Sequence, residues 1–494
     1  MGNPPSISVP NLPHVINFSR HLRLAAFCAL SCAIVPARAA QPARPPNILV
    51  FFCDNLGYGD IGPYGSTLHR TPNLDRFATE ARKFTHFYTA ANVCTPSRAG
   101  LMTGIHPRRL NLHANARQGA VLQPGEPIGL HPSEVTIAEV LKTAGYATML
   151  IGKWHLGDQP AFLPTRQGFD EYWGIPYSDD MTPREGQTWP PLPLMRGEAV
   201  IEAGPDRNEL TKRETAEAIR FLEVRRTQPF FLILSHAMPG STHAPFASDA
   251  FRGKSRNGPH GDSVEELDWS AGEVLAALRR LGLERDTLVI WTADNSSTRR
   301  TPYGGSNAPL SGHMNSPAEG GNRVPFLARW PGRIPSGTTS AELATMMDLL
   351  PTFARLAGAA APGPSVIDGR DIWPLFDGTP GARTPHDAFY YYHYDQLQAV
   401  RSGPWKLFLP LERVRANPAQ PAREGRVPAR LYDVVADPGE KNDVIAAHPE
   451  VVARLTTLAA RGREHIGDYE VEGRGVRPAG WIRHPQYQVL TPAR

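Results

Sequence analysis

Cysteine is scarce in this chain: four among 494 residues, and two of the four, Cys28 and Cys32, fall in a stretch that reads as a removable leader. The remaining pair, Cys53 and Cys94, cannot build a disulfide framework, so stability has to come from a large apolar core. Long runs of lysine and arginine are also missing. With a formal net charge of +4 and 20% charged residues, nothing marks a nucleic-acid surface. No apolar run is long enough to span a bilayer comfortably, and no internal repeat is visible. What the chain has in quantity is proline and glycine, 49 and 44 residues. They alternate with recurring apolar segments, the pattern of a loop-rich enzyme rather than of disorder. The length favours one large domain with a smaller appendage.

Arg20, His21 and Arg23 precede an apolar run from Leu24 to Val35, followed by Pro36-Ala37-Arg38-Ala39-Ala40. A basic start, a short apolar centre and an Ala-x-Ala site predict a secretory signal peptide over residues 1–39, cleaved after Ala39. The expected product is exported, periplasmic or secreted, with no transmembrane anchor once the signal is removed. A lipoprotein site at Ala29-Leu30-Ser31-Cys32 fits less well, because alanine stands three residues before the cysteine.

Asn47–Asp54 reads NILVFFCD, apolar until its last residue. That suits a strand buried on both faces of a parallel sheet, delivering side chains at its carboxyl end. Similar strands are predicted at Tyr146–Ile151, Pro229–His236, Thr287–Asn295 and Val324–Trp330. Helical spacing covers Thr71–Phe84, with Thr71 as cap and Pro72 at the first position. It recurs at Ile137–Ala144, Glu209–Arg225, Val264–Leu281 and Met346–Ala357. Strands alternate with helices and polar residues fall just past strand ends. The expected fold is therefore an α/β, doubly wound, mostly parallel sheet flanked by helices, with its site along the carboxyl edge. This catalytic domain is placed at residues 46–380. Short strands and a final helix at Pro449–Arg461 predict a smaller α+β domain over 386–468, and residues 469–494 form a tail with few pattern cues.

The chemistry centres on Asn92-Val93-Cys94-Thr95-Pro96-Ser97-Arg98, where a loop turns into a helix. Pro96 suits a first helical turn, which puts Cys94 beside free N–H groups that favour an anion. Arg98 lies about one turn further on. Asp54 and Asn55 follow the first strand, and Asp294 and Asn295 follow a later one. Singly, such pairs are commonly loop caps; together at one sheet edge they supply oxygen ligands for a hard divalent cation, calcium or magnesium rather than zinc. Lys153, His155 and His243 follow other strands. With Arg98 they make a positive cluster suited to a charged ester.

These segments resemble the type I sulfatase family, within the alkaline-phosphatase-like superfamily. The likeness rests on Cys94-Thr95-Pro96-Ser97-Arg98 with Leu101-Met102-Thr103-Gly104, Asp54 to Asp60 (DNLGYGD) and Gly152 to Gly157 (GKWHLG). It also rests on Thr292-Ala293-Asp294-Asn295, Glu319 to Pro325 (EGGNRVP), and Leu431-Tyr432-Asp433 with Asp437 to Glu440 (DPGE). It runs from Pro46 to Arg461. The resemblance implies that a formylglycine-generating or sulfatase-maturating enzyme oxidises Cys94 to formylglycine. The hydrated aldehyde then attacks sulfur, the alcohol leaves, and the second hydroxyl expels sulfate. It implies that Asp54, Asn55, Asp294, Asn295 and residue 94 bind the cation, normally calcium. Arg98 would stabilise the diol, Lys153 would bind sulfate, and His155 would accept a proton. His243 would hold sulfate and protonate the leaving oxygen, a role for which His236 fits less well. The implied substrate is a sulfate monoester, aryl or carbohydrate.

Two positions depart from the family pattern. Asn55 stands where a second aspartate is common, and Met314 stands where a lysine usually contacts sulfate and leaving group. A thioether carries no charge and donates no hydrogen bond; His313, one residue earlier, is a possible substitute. Two other readings therefore stay open: a phosphonate monoester or phosphodiester hydrolase on the same site, and a weakened binder of sulfated ligands.

Overall fold

Asn47–Cys53 is buried along its whole length, which requires cover on both faces and places it at the middle of the sheet. The computed structural model describes residues 44–491 except 115, 117–118, 242–243, 301, 364–365, 416–422 and 470. The expected signal peptide and His243 lie outside the described residues. In the ten-stranded sheet, Asn47–Cys53 pairs in parallel with Thr287–Ala293 on one side and Phe230–Ser235 on the other. The parallel run continues through Ala147–Gly152 to Glu171–Gly174, so five adjacent strands deliver their carboxyl ends to one edge. Beyond them the pairing turns antiparallel, with Phe326–Arg329 and Arg82–Phe84 on one flank and Pro193–Arg196 and Ala199–Ala203 on the other. Thr338–Ser340 returns to parallel pairing at one border.

Helices cover both faces. Successive strand residues point to opposite sides, and Phe230 meets Phe221 of the helix Leu210–Arg225 while Phe231 meets Phe353 of the helix Leu349–Ala357. The doubly wound α/β expectation is met at the centre of the sheet, and the mixed pairing is confined to its flanks.

Several boundaries moved for identifiable reasons. The helix predicted over Thr71–Phe84 runs only over Pro72–Glu80. Arg82–Phe84 instead joins the sheet, where Phe84 packs edge-on against Phe326 and Phe376. Tertiary packing overrides helical spacing there. The loop-rich stretch before Arg207 contains three strands, Glu171–Gly174, Pro193–Arg196 and Ala199–Ala203. They are too short for alternation to be read with any weight. The last helix extends to Ile466, because Leu455, Leu458, Ala459, Gly462 and Ile466 carry its buried stripe past Arg461.

Phe389–His393, Gln396–Ser402, Trp405–Phe408 and Arg430–Asp433 form a four-stranded antiparallel sheet. The helix Pro449–Ile466 covers it, with Leu455 and Leu458 in one apolar cluster with Leu397, Val400, Leu407 and Leu431. A buried carboxylate ties this sheet to the larger one. Glu319 accepts hydrogen bonds from Tyr88 (2.5 Å), Tyr391 (2.6 Å) and Lys406 (3.2 Å). Burial opposes its charge, but Lys406, Arg401 and Arg323 hold its carboxyl well below the usual range. The tail also returns to the larger domain, where Gly480–Trp481 pairs with Ile128–Gly129 and Gln486 bonds Gln159.

His386 links the two regions, its Nε2 lying 2.7 Å from Oδ1 of Asp348. Burial alone would lower its pKa, yet the Asp348 carboxylate raises it above the ordinary histidine value. A raised folded-state pKa adds stability that is complete below the unfolded value of about 6.5 and lost as pH rises through the folded one. The stability difference between wild type and His386→Gln, read by urea unfolding at pH 5 to 9, should therefore be largest at the acid end. A difference that does not shrink with rising pH would contradict this pairing.

Candidate active site

The carboxyl ends of the parallel strands fix the site through backbone bonds before any side chain is considered. Asp54 N donates to His236 O (3.1 Å) and Met238 O (3.2 Å), Asp294 N to Cys53 O (3.0 Å), and Lys153 N to Ser235 O (2.8 Å). Four strand ends are thereby laced together. Gly152 makes this possible: its φ is +97°, and a Cβ there would stand 2.0 Å from Ser235 O. Asn55 adopts φ +59°, and its N–H donates to Oδ1 of Asp294 (3.0 Å).

Cys94 opens the helix Cys94–Thr103, with Val93 as cap and Pro96 within the first turn. The helix therefore starts one residue earlier than the proline suggested, and Cys94 is its first residue. Its Sγ lies 3.2 Å from Asp54 Oδ1 and 3.8 Å from Asn55 Oδ1. Burial, then the adjacent Asp54 carboxylate, push the thiol well above the usual cysteine range. A free thiolate is thus disfavoured here.

Arg98 is 2% exposed and fully engaged. Nε donates to Asp294 Oδ2 (2.9 Å), Nη1 donates to Lys153 O and Ser235 Oγ (both 2.7 Å), and Nη2 lies 3.5 Å from Asp54 Oδ1. Lys153 Nζ donates to Asp54 Oδ1 (2.7 Å) and Ser178 Oγ (3.1 Å). Burial opposes the charge on Asp54, but Lys153 and Arg98 hold its carboxyl well below the usual range. Burial and the charge of Asp54 push Asp294 the other way.

His155 Nε2 faces Leu122 O at 2.9 Å, which makes it the protonated nitrogen. Nδ1 then carries a lone pair, and it is buried without a hydrogen-bond partner. Burial and the nearby Lys153 and Arg98 keep the ring well below the ordinary pKa, hence neutral.

Asp54, Cys94 and Asp294 bring ligand atoms within 4.8 Å of one another. Asn295 Nδ2 contacts Asn55 Oδ1, while Asn295 Oδ1 is buried with no hydrogen-bond partner. Two carboxylates and two amide oxygens, one of the latter orphaned, suit a hard divalent cation, so the residues present fit one. A second group, Asp60, His69 and His260, has comparable spacing. Its donors are mostly committed, His69 to Asp60 O (2.7 Å) and Asn257 (2.8 Å), and His260 to Asp60 Oδ2 (3.2 Å). Asp60 in turn accepts from Gly57 and Ser306 N–H groups (2.8 and 2.7 Å). That group holds the Asp54–Asp60 loop in shape.

His236 does not join the site through its ring, since Nδ1 meets Glu214 (2.6 Å) and Nε2 meets Ser270 (3.1 Å). Met314 is half-buried and bound through its N–H to Ser297 O (3.1 Å). His313 turns Nδ1 towards Asn307 Nδ2 (3.3 Å). Sequence reasoning missed Ser178, Ser235 and Ser241, the last accepting from Asn55 Nδ2 at 2.9 Å. Ser235 had a signal, as the penultimate residue of a predicted strand. Asp179 was missed as well. It is fully buried with neither carboxylate oxygen hydrogen-bonded, and burial, Asp180 and Asp54 push it up to about 8.

The sulfatase family model matches residues 46–359, and a model for the C-terminal region of aryl-sulfatase matches 384–480. The chain belongs to the sulfatase family. Human arylsulfatase A is 40% identical over 467 residues, covering 87% of this chain and 90% of that protein. Mouse steryl-sulfatase is 36% identical over 545 residues, covering 90% and 86%. Dog N-acetylgalactosamine-6-sulfatase is 35% identical over 460 residues, covering 86% and 87%. Among solved structures, the PsFucS1 sulfatase from Pseudoalteromonas sp. superposes with a TM-score of 0.73 at 26% identity, covering 85% of this chain and 90% of that one. The large mixed sheet with its smaller C-terminal sheet is thus a sulfatase fold.

Removing Arg98 from this sulfatase should leave Asp294 and Asp54 buried with Lys153 as their remaining cationic partner. Arg98→Met is expected to lower unfolding stability by about 3–5 kcal/mol, read by denaturant titration of the unconverted chain. A loss under about 1 kcal/mol would mean that the buried network does not depend on it.

Proposed function

We propose that this sulfatase hydrolyses sulfate monoesters, aryl or carbohydrate, at a formylglycine formed from Cys94 beside a calcium ion. The observation that carries this reading is the convergence of Cys94 Sγ with Asp54 and Asn55, alongside Lys153 and Arg98, at a helix start. Asp54, Asn55, Asp294, Asn295 and residue 94 would hold the cation; magnesium is the lesser fit. The converted residue supplies an oxygen nucleophile, and the cation supplies charge stabilisation beside it. Both explain a cysteine in a setting that disfavours its thiolate.

The remaining chain groups have roles consistent with their bonds. Arg98 holds Asp294 and the Lys153 carbonyl, which fixes the floor under residue 94. Lys153 presents its ammonium between Asp54 and Ser178, placed to attract an ester oxyanion. His155 offers a neutral Nδ1 that can accept a proton from residue 94, while Nε2–H on Leu122 O keeps that tautomer. His243, outside the described residues, is proposed to hold sulfate and protonate the leaving oxygen. Residues 46–380 would form the catalytic domain and 386–468 the smaller one.

Among the described residues no helix is long and apolar enough to cross a membrane. With the signal sequence at 1–39 we place the protein outside the cytoplasm, periplasmic or secreted. A maturating enzyme that oxidises Cys94 is then its necessary partner.

Mass spectrometry of the residue-94 peptide, paired with 4-nitrophenyl sulfate hydrolysis, tests the reading. Co-expression with a maturating enzyme should convert Cys94, and Cys94→Ala should abolish turnover. An unmodified thiol with undiminished turnover would overturn the mechanism, and faster release from an aryl phosphodiester would favour the phosphoryl alternative.

The two departures also have a testable link. Met314→Lys restores a cationic contact worth on the order of 3 kcal/mol in the transition state. Asn55→Asp restores the negative charge that lysine would otherwise lack. Calcium affinity and kcat/KM of both single variants and the double variant should show positive coupling, the double exceeding the product of the singles. Strict additivity would show the positions to be independent.

A further inference from the structure

Beside the catalytic centre lies a second hollow of about 450 Å3. Its wall includes Arg299, Arg300 and His313, together with Leu68, Asn257 and Ser306, and no described aspartate or glutamate lines it. The wall is continuous with the centre through three loops. Arg299 and Arg300 follow Asp294-Asn295 within the same segment, His313 immediately precedes Met314, and Asn307 ties the loops together. Asn307 Oδ1 accepts from Ser297 N (3.3 Å), Ser297 Oγ (3.1 Å) and Tyr58 N (3.4 Å).

Among the described residues, no carboxylate lies at ion-pair distance from either arginine of this wall. Arg299 is exposed, and no carboxylate among the described residues pairs with it. Arg300 is half-buried and its Nη2 donates to the backbone carbonyl of Gly240, which bonds hydrogen but cancels no charge. Gly240 N in turn donates to Asp54 O (3.0 Å), so the guanidinium is anchored to the loop that carries the catalytic carboxylate. Burial works against the charge of Arg300, and the carboxylates of Asp54, Asp179, Asp180 and Asp60 offset that only in part; an oxyanion in the hollow would take up the N–H donors of Arg299 and the remaining ones of Arg300. Burial and Arg299 lower the pKa of His313, which leaves it a neutral hydrogen-bonding group at the inner wall.

We propose that this hollow is a subsite for a second sulfate group on the substrate, so that the preferred esters are polysulfated rather than singly sulfated. The proposal rests on the reading of the Cys94 centre as a sulfate-ester hydrolase. Met314 makes such a subsite consequential. With no cation at position 314, binding energy for an anionic substrate has to be gathered elsewhere along the same wall, and Arg299 and Arg300 are the cations the chain places there.

The test compares kcat and KM for N-acetylgalactosamine 6-sulfate and N-acetylgalactosamine 4,6-disulfate in the matured wild type, in Arg299→Gln and in Arg299→Gln/Arg300→Gln. The ratio of kcat/KM, disulfated over monosulfated, should exceed one in the wild type. It should fall at least about tenfold in the double variant, mostly through KM, as expected for loss of charge-assisted contacts. The exposed Arg299→Gln alone should fall part of the way, which guards against misfolding of the double variant. An unchanged ratio, or a wild type without preference, overturns the subsite. If matured wild type releases no sulfate from any ester, the hydrolase reading fails instead. Calorimetric binding of the disulfate then decides the subsite: a tenfold weaker double variant supports it, and equal or absent binding refutes it.

Discussion

Everything at the sheet edge depends on one buried knot of charge, in which Asp54 and Asp294 face Lys153 and Arg98 away from water. Isolated, each of these ions would be too costly to bury; together they are tolerated because every charged group finds an opposite one at hydrogen-bond distance. The knot also explains the local architecture. Asp54, Lys153 and Asp294 come from three parallel strands, and Arg98 comes from the helix that starts at Cys94. A parallel sheet is the arrangement that brings such separated residues to one edge, and the lacing of strand-end backbone bonds fixes their spacing before the side chains act. A stable knot of this kind presents Cys94 in a defined position without itself needing the thiol's reactivity.

The centre was legible in the sequence because its residues are strand-terminal. A polar residue closing an apolar run is a visible break, and Asp54, Lys153 and Asp294 each make one. The resemblance to sulfatases converted those breaks into roles. What was not legible is what depends on long-range packing. Arg82–Phe84 reads as helix by spacing but is drawn into the sheet by Phe326 and Phe376. Ser178 and Asp179 follow a four-residue strand that periodicity cannot separate from loop. The pattern already favoured His243 over His236, and the contact of His236 with Glu214 and Ser270 removes the His236 ring from the centre. The tail after Asp468 offered few pattern cues because its order comes from partners far away in sequence, Ile128–Gly129 and Gln159.

The C-terminal sheet is joined by a second knot with different chemistry. Glu319 gathers two tyrosine hydroxyls and Lys406, and Lys406 also meets Glu440 at 2.8 Å. Glu319 opens the segment EGGNRVP, five residues after Met314, so the element that carries the smaller sheet also carries the wall of the site. Glu440 reaches the same region through the backbone N–H of Glu319 at 2.9 Å. The DPGE segment thus has a physical reason to accompany the catalytic motifs: it supplies the carboxylate that holds the Met314 loop from outside.

Charge balance then connects the two departures at the centre. As it stands, two carboxylates meet two cations, and a divalent metal ion would add two positive charges to a neutral set. A centre with aspartate at position 55 and lysine at position 314 would have three of each and the same sum. With a cation and an ester bound as proposed, Asn55 and Met314 would offset one another: one removes a negative charge beside the cation and the other a positive charge beside the ester. The total field on an incoming anion would then be preserved, its origin moved away from position 314 and towards the cation, Lys153 and the proposed Arg299–Arg300 wall. At separations of a few ångströms in a site of low dielectric, where charge is placed matters as much as how much there is. On the proposed reading, such a site would hold the sulfate group from the metal side and leave the leaving-group side open to interactions the substrate itself brings.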